Sequence, residues 1–247
     1  WDENGDTMKA LEDIRSGDDQ FFRIEKDYST AAYYLESMAQ GYMGISTYNS
    51  QQNSLVQKFV DRLWPELWTK YDRNHLDFAE AVKKTGAAGM ASLVGLKYLL
   101  SHRGTIQLEG FEKIGQEGNT VIYRNEAVDC AASFYTRSVT EKTYEKWAKE
   151  NGDIRDLLSD LVITDAGTAL DVGDEMPAGQ GGSAQLSVTC RDRDSQVTGT
   201  VDSEDGGIVM IAVPVQDGWH AEVDGEEAQI ITADYCFTGL LVPPGRH

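Results

Sequence analysis

The C-terminal quarter of the chain consists of short runs in which apolar and polar residues alternate. Six such runs begin after residue 184, and Gly, Asp or Pro residues separate them. A period of two is typical of strands that bury one face, and closely spaced turn residues favour antiparallel pairing. The sequence therefore predicts an antiparallel β-sandwich or half-barrel with strands near residues 185–191, 196–202, 208–215, 219–223, 228–232 and 235–242.

Two Asp-Gly pairs punctuate this region. Asp224-Gly225 lies between two alternating runs and favours a two-residue hairpin, because both central residues of a type I′ turn need positive φ. Asp217-Gly218 predicts a bend or bulge at the end of the preceding strand. We expect Trp219 to start the partner strand, with its indole either plugging the end of the sheet or lying at a rim where it stacks on a sugar.

Before this region helical and strand patterns are mixed, which predicts an α+β chain. Helical spacing in residues 51–64 precedes Pro65, and either Asn49 or Ser50 is expected to cap that helix. Thr140 is expected to cap a later helical segment, which Gly152 interrupts. Further helical spacing covers 6–17 and 141–161, and strand patterns cover 21–26, 96–101 and a hairpin over 111–124.

These patterns predict two domains. Residues 1–165 are expected to form a mixed α/β domain, and residues 166–247 a β-sandwich-like domain, to which the segment SFYTRS at 133–138 adds a strand. A chain of 247 residues with 40% hydrophobic content can bury one sizeable core or two modest ones. The start at Trp1 within a polar run suggests a segment of a longer protein.

The charge balance restricts the classes of partner. The chain has 22 basic and 41 acidic residues, which gives a net charge of −19. A field of this sign repels phosphate backbones and anionic headgroups, so we expect no binding to nucleic acid. No apolar stretch reaches the roughly 18 residues that a membrane-spanning helix needs.

The search for catalytic and metal-binding motifs gives no catalytic residue, no metal and no cofactor. There is no GxSxG elbow, P-loop or GxGxxG motif, and the four histidines lack metal-site spacing. His220 with Asp217 and Glu222 is weighed as a metal site against a plain surface position, and the acidic turn 202–206 as a calcium loop against a hairpin turn.

The cysteines leave two alternatives open. Cys190 and Cys236 both lie in strand-like runs and can pair in an oxidising compartment. Alternatively, these two and Cys130 are three separate buried thiols.

Aromatic residues are the best candidates for a binding surface. Trp219 and Tyr235 are the predicted substrate-binding residues, and they form either a sugar-stacking platform or part of an aromatic core. The same two alternatives, a sugar-stacking platform or an aromatic core, apply to Tyr123, Phe134 and Tyr135, which lie in strand-like runs.

The order of several motifs resembles one known family. The motifs are FFRIE, GYMGISTYNSQQNS, VGLKYLLS, GFEKIGQEGNTVIYRNEAV, IAVPVQDGWHAEVDGEEAQI and FTGLLVPPGRH. They resemble the C-terminal extracytoplasmic region of the bacterial YfhO family of polytopic membrane proteins, over residues 19–246. In that family a strand ending in Pro precedes a Gly-Trp pair, an Asp-Gly hairpin and a closing Pro-Gly turn. The matching positions here are Pro214, Gly218-Trp219, Asp224-Gly225 and Pro244-Gly245.

This resemblance implies a function. YfhO proteins look like GT-C-type glycosyltransferases that use a polyprenyl-phosphate sugar and decorate lipoteichoic acid or other cell-wall polymers. The resemblance implies a domain on the outer face of the membrane, without the catalytic residues of the membrane portion. Its implied partners are the membrane-embedded remainder of the same protein and a glycan or wall polymer. The alternatives are a non-catalytic carbohydrate-binding or adhesion module and a free-standing glycosidase.

Overall fold

The structure, a computed structural model, describes residues 5–28, 36–70, 73–85, 88–102, 108–191 and 196–247. The α-helices are α1 (Asp6–Gly17), α2 (Glu36–Gln40), α3 (Ser54–Leu63), α4 (Phe78–Thr85), α5 (Ala88–Leu93) and α6 (Glu141–Asn151), and Pro65–Leu67 and Arg155–Ser159 are 3₁₀ helices. Helices and strands both contribute substantially, which confirms the predicted α+β class.

The strands form several separate sheets. They are β1 (Arg23–Lys26), β2 (Thr47–Tyr48), β3 (His75–Leu76), β4 (Leu96–Ser101), β5 (Phe111–Glu117), β6 (Thr120–Asn125), β7 (Ala132–Tyr135), β8 (Ser138–Thr140), β9 (Val162–Thr164), β10 (Gln185–Arg191), β11 (Gln196–Ser203), β12 (Gly207–Pro214), β13 (Ala221–Val223), β14 (Glu226–Ala228), β15 (Ile230–Ala233), β16 (Phe237–Val242) and β17 (Gly245–Arg246).

The chain divides into two compact units. The first contains residues 1–52 and 64–131, and the second contains 53–63 and 132–247. The sequence predicts a boundary at residue 165, whereas the division falls after residue 131. The reason is that β7, β8 and β9 belong to the six-stranded sheet of the second unit.

The first unit is built on a four-stranded sheet in the order β1-β4-β6-β5. β1 runs parallel to β4, and the other pairs are antiparallel. Ala10, Leu11 and Ile14 of α1 are at most 5% exposed and share an apolar cluster with sheet residues such as Ile24 and Leu100. Their i, i+1, i+4 spacing places them on one face of the helix, which explains why α1 has the predicted bounds.

One predicted helix cap is wrong. The helix after residue 51 begins at Ser54, and the Asn53 carboxamide oxygen accepts a hydrogen bond from the backbone N–H of Leu55 at 2.8 Å. Asn53 therefore fills the capping role expected of Asn49 or Ser50. By contrast Thr140 caps α6 as predicted, since its hydroxyl accepts from the Thr143 N–H at 3.3 Å.

The second unit contains two larger sheets and one small hairpin. The six-stranded sheet has the order β7-β12-β16-β15-β9-β8, and the three-stranded sheet has the order β10-β11-β17. Val201 of β11, in the three-stranded sheet, packs in one apolar cluster with Val209 and Val242 of the six-stranded sheet. The two sheets therefore face each other. β7 pairs antiparallel with β12, which confirms the strand predicted within SFYTRS.

Two of the predicted strands near the end of the chain begin later than predicted. The run at 219–223 is a strand only from Ala221, so Trp219 precedes the strand that it was expected to start. The run at 235–242 is a strand only from Phe237, because Asp234 and Tyr235 form a turn. Asp224 and Gly225 have φ of 55° and 79°, which confirms the predicted type I′ hairpin turn between β13 and β14.

The three cysteines are not joined to one another by disulfides; Cys130 and Cys236 are buried and Cys190 is half-buried. Within the described ranges, no helix combines the length and the apolar character that crossing a bilayer requires.

Candidate functional site

A cleft of about 790 Å³ lies within the second unit, where the two larger sheets and the β13–β14 hairpin approach one another. Its volume is in the range of pockets that hold small ligands, roughly 300–1,000 Å³. The lining combines aliphatic side chains, uncharged polar side chains and carboxylates.

The aliphatic part of the lining comes from the larger sheet. Val209 and Leu240 are direct partners across β12 and β16, and Ile230 of β15 is the partner of Leu240 on its other side. Directly opposed residues of paired strands lie on the same face of a sheet. The alternation of β12 thus directs Val209 and Ile211 to the cleft, while Ile208 and Met210, both 0% exposed, lie on the opposite face.

Polar side chains at the cleft come from the six-stranded sheet and the turn after β12. Thr238 of β16 is the direct partner of Ile211 and shares its face of the sheet, and Gln216 borders the cleft after β12. Gln196, Thr198 and Thr200 alternate with Val197 and Val201 on β11, so their side chains lie on the face of that strand turned away from the six-stranded sheet. Hydroxyl and carboxamide groups can both donate and accept hydrogen bonds, so Gln216 and Thr238 can serve a ligand rich in hydroxyl groups.

Trp219 lies at the cleft in the turn that the first Asp-Gly pair forms. The Trp219 N–H donates to the Gln216 carbonyl at 3.3 Å, and Gly218 between them has a φ of 90°. Positive φ at the third residue of a turn is the position that favours glycine. The turn places a half-buried indole in the cleft lining, beside the exposed His220.

The tip of the β13–β14 hairpin is tied to the end of β17. The Asp224 carboxylate lies 2.6 Å from Nδ1 of His247, whose Nε2 is 3.2 Å from the Pro244 carbonyl oxygen. Both ring nitrogens face acceptors, so the imidazolium form can donate to both. The Asp224 carboxylate, followed by the Pro244 carbonyl, raises the pKa of His247 above its ordinary value.

The structure does not bring the two predicted binding residues together. Tyr235 is 1% exposed and does not line the cleft; its ring lies 5.2 Å from the Lys58 ammonium. A ring with so little exposed surface has no face free for a sugar, so Tyr235 is a core residue in this conformation. Trp219, by contrast, lines the cleft.

The wider aromatic platform is also not formed. Tyr135 is 3% exposed and donates its hydroxyl to the Leu158 carbonyl at 3.2 Å, while Tyr123 is 6% exposed on β6 of the first unit. Phe134 packs partly buried against the Val201 cluster. Most of these rings are core residues, which was one of the two alternatives in the sequence.

The two metal sites considered from the sequence, at His220 and in the acidic turn 202–206, are not formed in the structure. No group of three or more His, Cys, Asp or Glu side chains within the described part of the chain is arranged to hold a metal ion. His220, Asp217 and Glu222 are exposed side chains around the cleft instead.

The model of one protein family, described as bacterial membrane protein YfhO, matches residues 2–154 and 182–247. The chain belongs to the YfhO family. It matches no curated protein and no solved structure at a significant level.

The matched segments include the whole cleft. Every residue that lines it falls within residues 182–247, the second segment of the YfhO match. The unmatched residues 155–181 include the second 3₁₀ helix and β9. The cleft with Trp219 is therefore part of the region that this chain has in common with the YfhO family model.

Sequence reasoning missed one buried group, Asp234. Its carboxylate is 0% exposed, accepts from the Ile163 N–H at 2.8 Å through Oδ1, and has no hydrogen-bond partner at Oδ2 among the residues that the structure describes. Burial raises the pKa of this carboxyl to about 7. Nothing in the local sequence identifies the position, because an aspartate in a turn is ordinarily solvated.

Proposed function

We propose that this chain is the extracytoplasmic domain of a multi-span YfhO glycosyltransferase, and that its cleft holds the acceptor glycan. The parent enzyme is of the GT-C type, takes sugar from a polyprenyl-phosphate donor and decorates lipoteichoic acid or another cell-wall polymer. The domain presents the acceptor to the membrane-embedded remainder of the same protein. Membership of a bacterial membrane protein family supports this proposal.

The observation that carries the acceptor-binding role is the placement of Trp219. A half-buried indole borders a cleft that also contains aliphatic and hydroxyl-bearing side chains. A pyranose has an apolar face that packs on an aromatic ring and hydroxyl groups that need hydrogen-bond partners. The lining of the cleft offers both kinds of contact within one unit of the protein.

The test uses the full-length parent protein in membrane vesicles with a labelled polyprenyl-phosphate sugar and a wall-polymer acceptor. We expect Trp219→Ala to raise the apparent KM for acceptor about tenfold, because stacking and burial of an indole contribute roughly 1–2 kcal/mol. The kcat is expected to change little, since Trp219 binds the acceptor without touching the reacting atoms. Met38→Ala, at a 74% exposed side chain of the first unit, is the matched control.

Two outcomes would contradict the proposal. Failure of the parent protein to transfer any sugar would refute the glycosyltransferase activity, and glycan binding without transfer would favour a carbohydrate-binding or adhesion module. An unchanged KM in Trp219→Ala would refute the role of the cleft. Thermal unfolding of the 247-residue chain distinguishes a structural role, in which Trp219→Ala lowers Tm by several degrees.

A further inference from the structure

The charged side chains that line the cleft are mostly acidic. Asp217 and Asp224 border it on the segment that runs from β12 through the β13–β14 hairpin, and both are exposed. Glu222 alternates with Val223 on β13, so its carboxylate lies on the face turned away from the apolar cluster. None of the described residues in the lining is a lysine or an arginine. The lining also contains His220 and His247, so the acidic excess is not uniform, and His247 is already paired with Asp224.

This arrangement disfavours an anionic ligand. A phosphodiester in the cleft would lie close to the Asp217 and Asp224 carboxylates, and the net charge of −19 adds to the repulsion over longer distances. Proteins that recognise phosphate ordinarily supply arginine, lysine or the N-terminus of a helix. The described lining consists of strands, turns and the connections between them, and it offers none of these groups.

The same lining suits an uncharged saccharide. Sugar hydroxyls can donate to the Asp217 carboxylate and can exchange hydrogen bonds with Gln216 and Thr238. The apolar face of a pyranose can pack on Trp219 and on the aliphatic side chains of β12 and β16. Each type of lining group then has a complementary contact on one ligand.

We propose that the cleft binds an uncharged oligosaccharide segment of the acceptor and rejects segments that carry phosphate. This inference rests on the proposed function and specifies which part of the acceptor the domain holds. A glycosylated polymer with a phosphodiester backbone would then be held by its sugar substituents or by an uncharged glycan anchor, and its backbone would pass outside the cleft.

The test is calorimetric titration of the 247-residue chain at low ionic strength with matched probes. The probes are a neutral glucose pentasaccharide, a glycerol-phosphate pentamer, a glucosamine pentamer and its N-acetylated counterpart. We expect the neutral glucose probe to bind with a Kd at least tenfold lower than the phosphate probe. Raising the salt concentration should narrow this ratio, because it screens repulsion between exposed charges beyond about 8 Å at physiological ionic strength.

Variants separate charge from shape. The variant Asp217→Asn keeps side-chain size and hydrogen-bonding ability but removes a charge that borders the cleft, so it should improve binding of the phosphate pentamer severalfold, whereas Glu222→Gln, on the other face of β13, should change it less. The Asp217→Asn variant should bind the neutral pentasaccharide with a Kd within about threefold of the wild-type value. Trp219→Phe, by contrast, should raise the Kd of this neutral probe. A folding check by circular dichroism accompanies each variant.

Three results would overturn this inference. They are equal or tighter binding of the phosphate pentamer, tenfold tighter binding of the glucosamine pentamer than of its N-acetylated counterpart, and no binding of the neutral probe. The transfer assay on the parent protein tests the proposed function separately. Continued acceptor dependence on Trp219 there, together with phosphate preference here, would reject the uncharged-segment inference alone.

Discussion

Two hairpin connections of the second unit each contain two consecutive residues at positive φ, but in opposite surroundings. Asp224-Gly225 joins β13 to β14 with φ of 55° and 79°, and both residues are exposed. Asp234-Tyr235 joins β15 to β16 with φ of 45° and 68°, and both residues are at most 1% exposed. Residues other than glycine pay about 1–2 kcal/mol in the left-handed region, so the buried turn has the less favourable local sequence.

The difference shows what holds each turn. The exposed turn needs only the local preference of Asp-Gly for positive φ. The buried turn is held by β9, since the Asp234 N–H donates to the Ile163 carbonyl at 2.7 Å while the Ile163 N–H donates back to the Asp234 carboxylate at 2.8 Å. Tyr235 adds buried area beside Lys58. Local sequence is sufficient for the first turn, whereas the second depends on tertiary contacts.

The largest expected effect is at Tyr235. Tyr235→Ala removes a buried ring while keeping a Cβ at positive φ, and we expect it to lower the free energy of unfolding by about 3–5 kcal/mol in urea titrations. Tyr235→Gly loses the same ring but relieves the backbone, so it should be about 1 kcal/mol less destabilising than the alanine variant. A loss below about 1 kcal/mol in Tyr235→Ala would show that the ring is not packed as described.

The second effect concerns the buried carboxyl of Asp234. Because its pKa is raised to about 7 in the folded state from 3.8, the folded state binds the additional proton between these values. Stability should therefore fall as pH rises through this window, by at most about 1.4 kcal/mol per pH unit and by about 4 kcal/mol in total. The measurement is the free energy of unfolding at a series of pH values from 4 to 8.

Asp234→Asn is the matched variant for this window. Asparagine tolerates positive φ and can still accept from the Ile163 N–H, but it carries no charge. We expect the variant to lose the pH slope and to be more stable than the wild type at pH 8. Parallel slopes in the two proteins would mean that another group causes the pH dependence.

The same contrast explains how much of the fold could be predicted from the sequence. α1, β4 and β10 have the predicted bounds, because burial of one face or of a whole strand leaves a clear period in the sequence. The turn at Asp234-Tyr235 was missed, since neither residue signals positive φ and the contacts that impose it come from β9. The 131/132 division likewise depends on long-range pairing of β7 with β12.

The candidate site could be predicted only in part. The Asp-Gly turns placed Trp219 near the end of a sheet, but an aromatic residue in a strand-like run has the same local pattern in a core as in a binding surface. Tyr235, named as a candidate binding residue, is therefore buried and follows the core alternative of its pattern. The pairing of Asp224 with His247 links positions 23 residues apart through the end of β17, and no local pattern encodes it.

A smaller effect is expected at the exposed turn. Gly225→Ala places a Cβ at a φ of 79° in open space, with no heavy atom within 4 Å, so only backbone strain opposes it. We expect a loss of about 1 kcal/mol in the free energy of unfolding, and a smaller loss for Gly225→Asn, because asparagine tolerates this conformation. Equal losses for the two variants would show that local φ preference does not determine the turn.

The smallest expected effect concerns Asp224, whose carboxylate has His247 as its partner. The Asp224 carboxylate raises the pKa of His247, so their ion pair should be present below that raised pKa and lost as pH rises through it. Asp224→Asn keeps the turn but removes the charge; we expect the His247 pKa to fall towards its ordinary value in an NMR titration, with little change in the stability of the fold. A His247 pKa that does not respond to this substitution would show that the hairpin tip is not tied to β17 in solution. The exposed turn would then act on no other element, whereas the buried turn fixes β9.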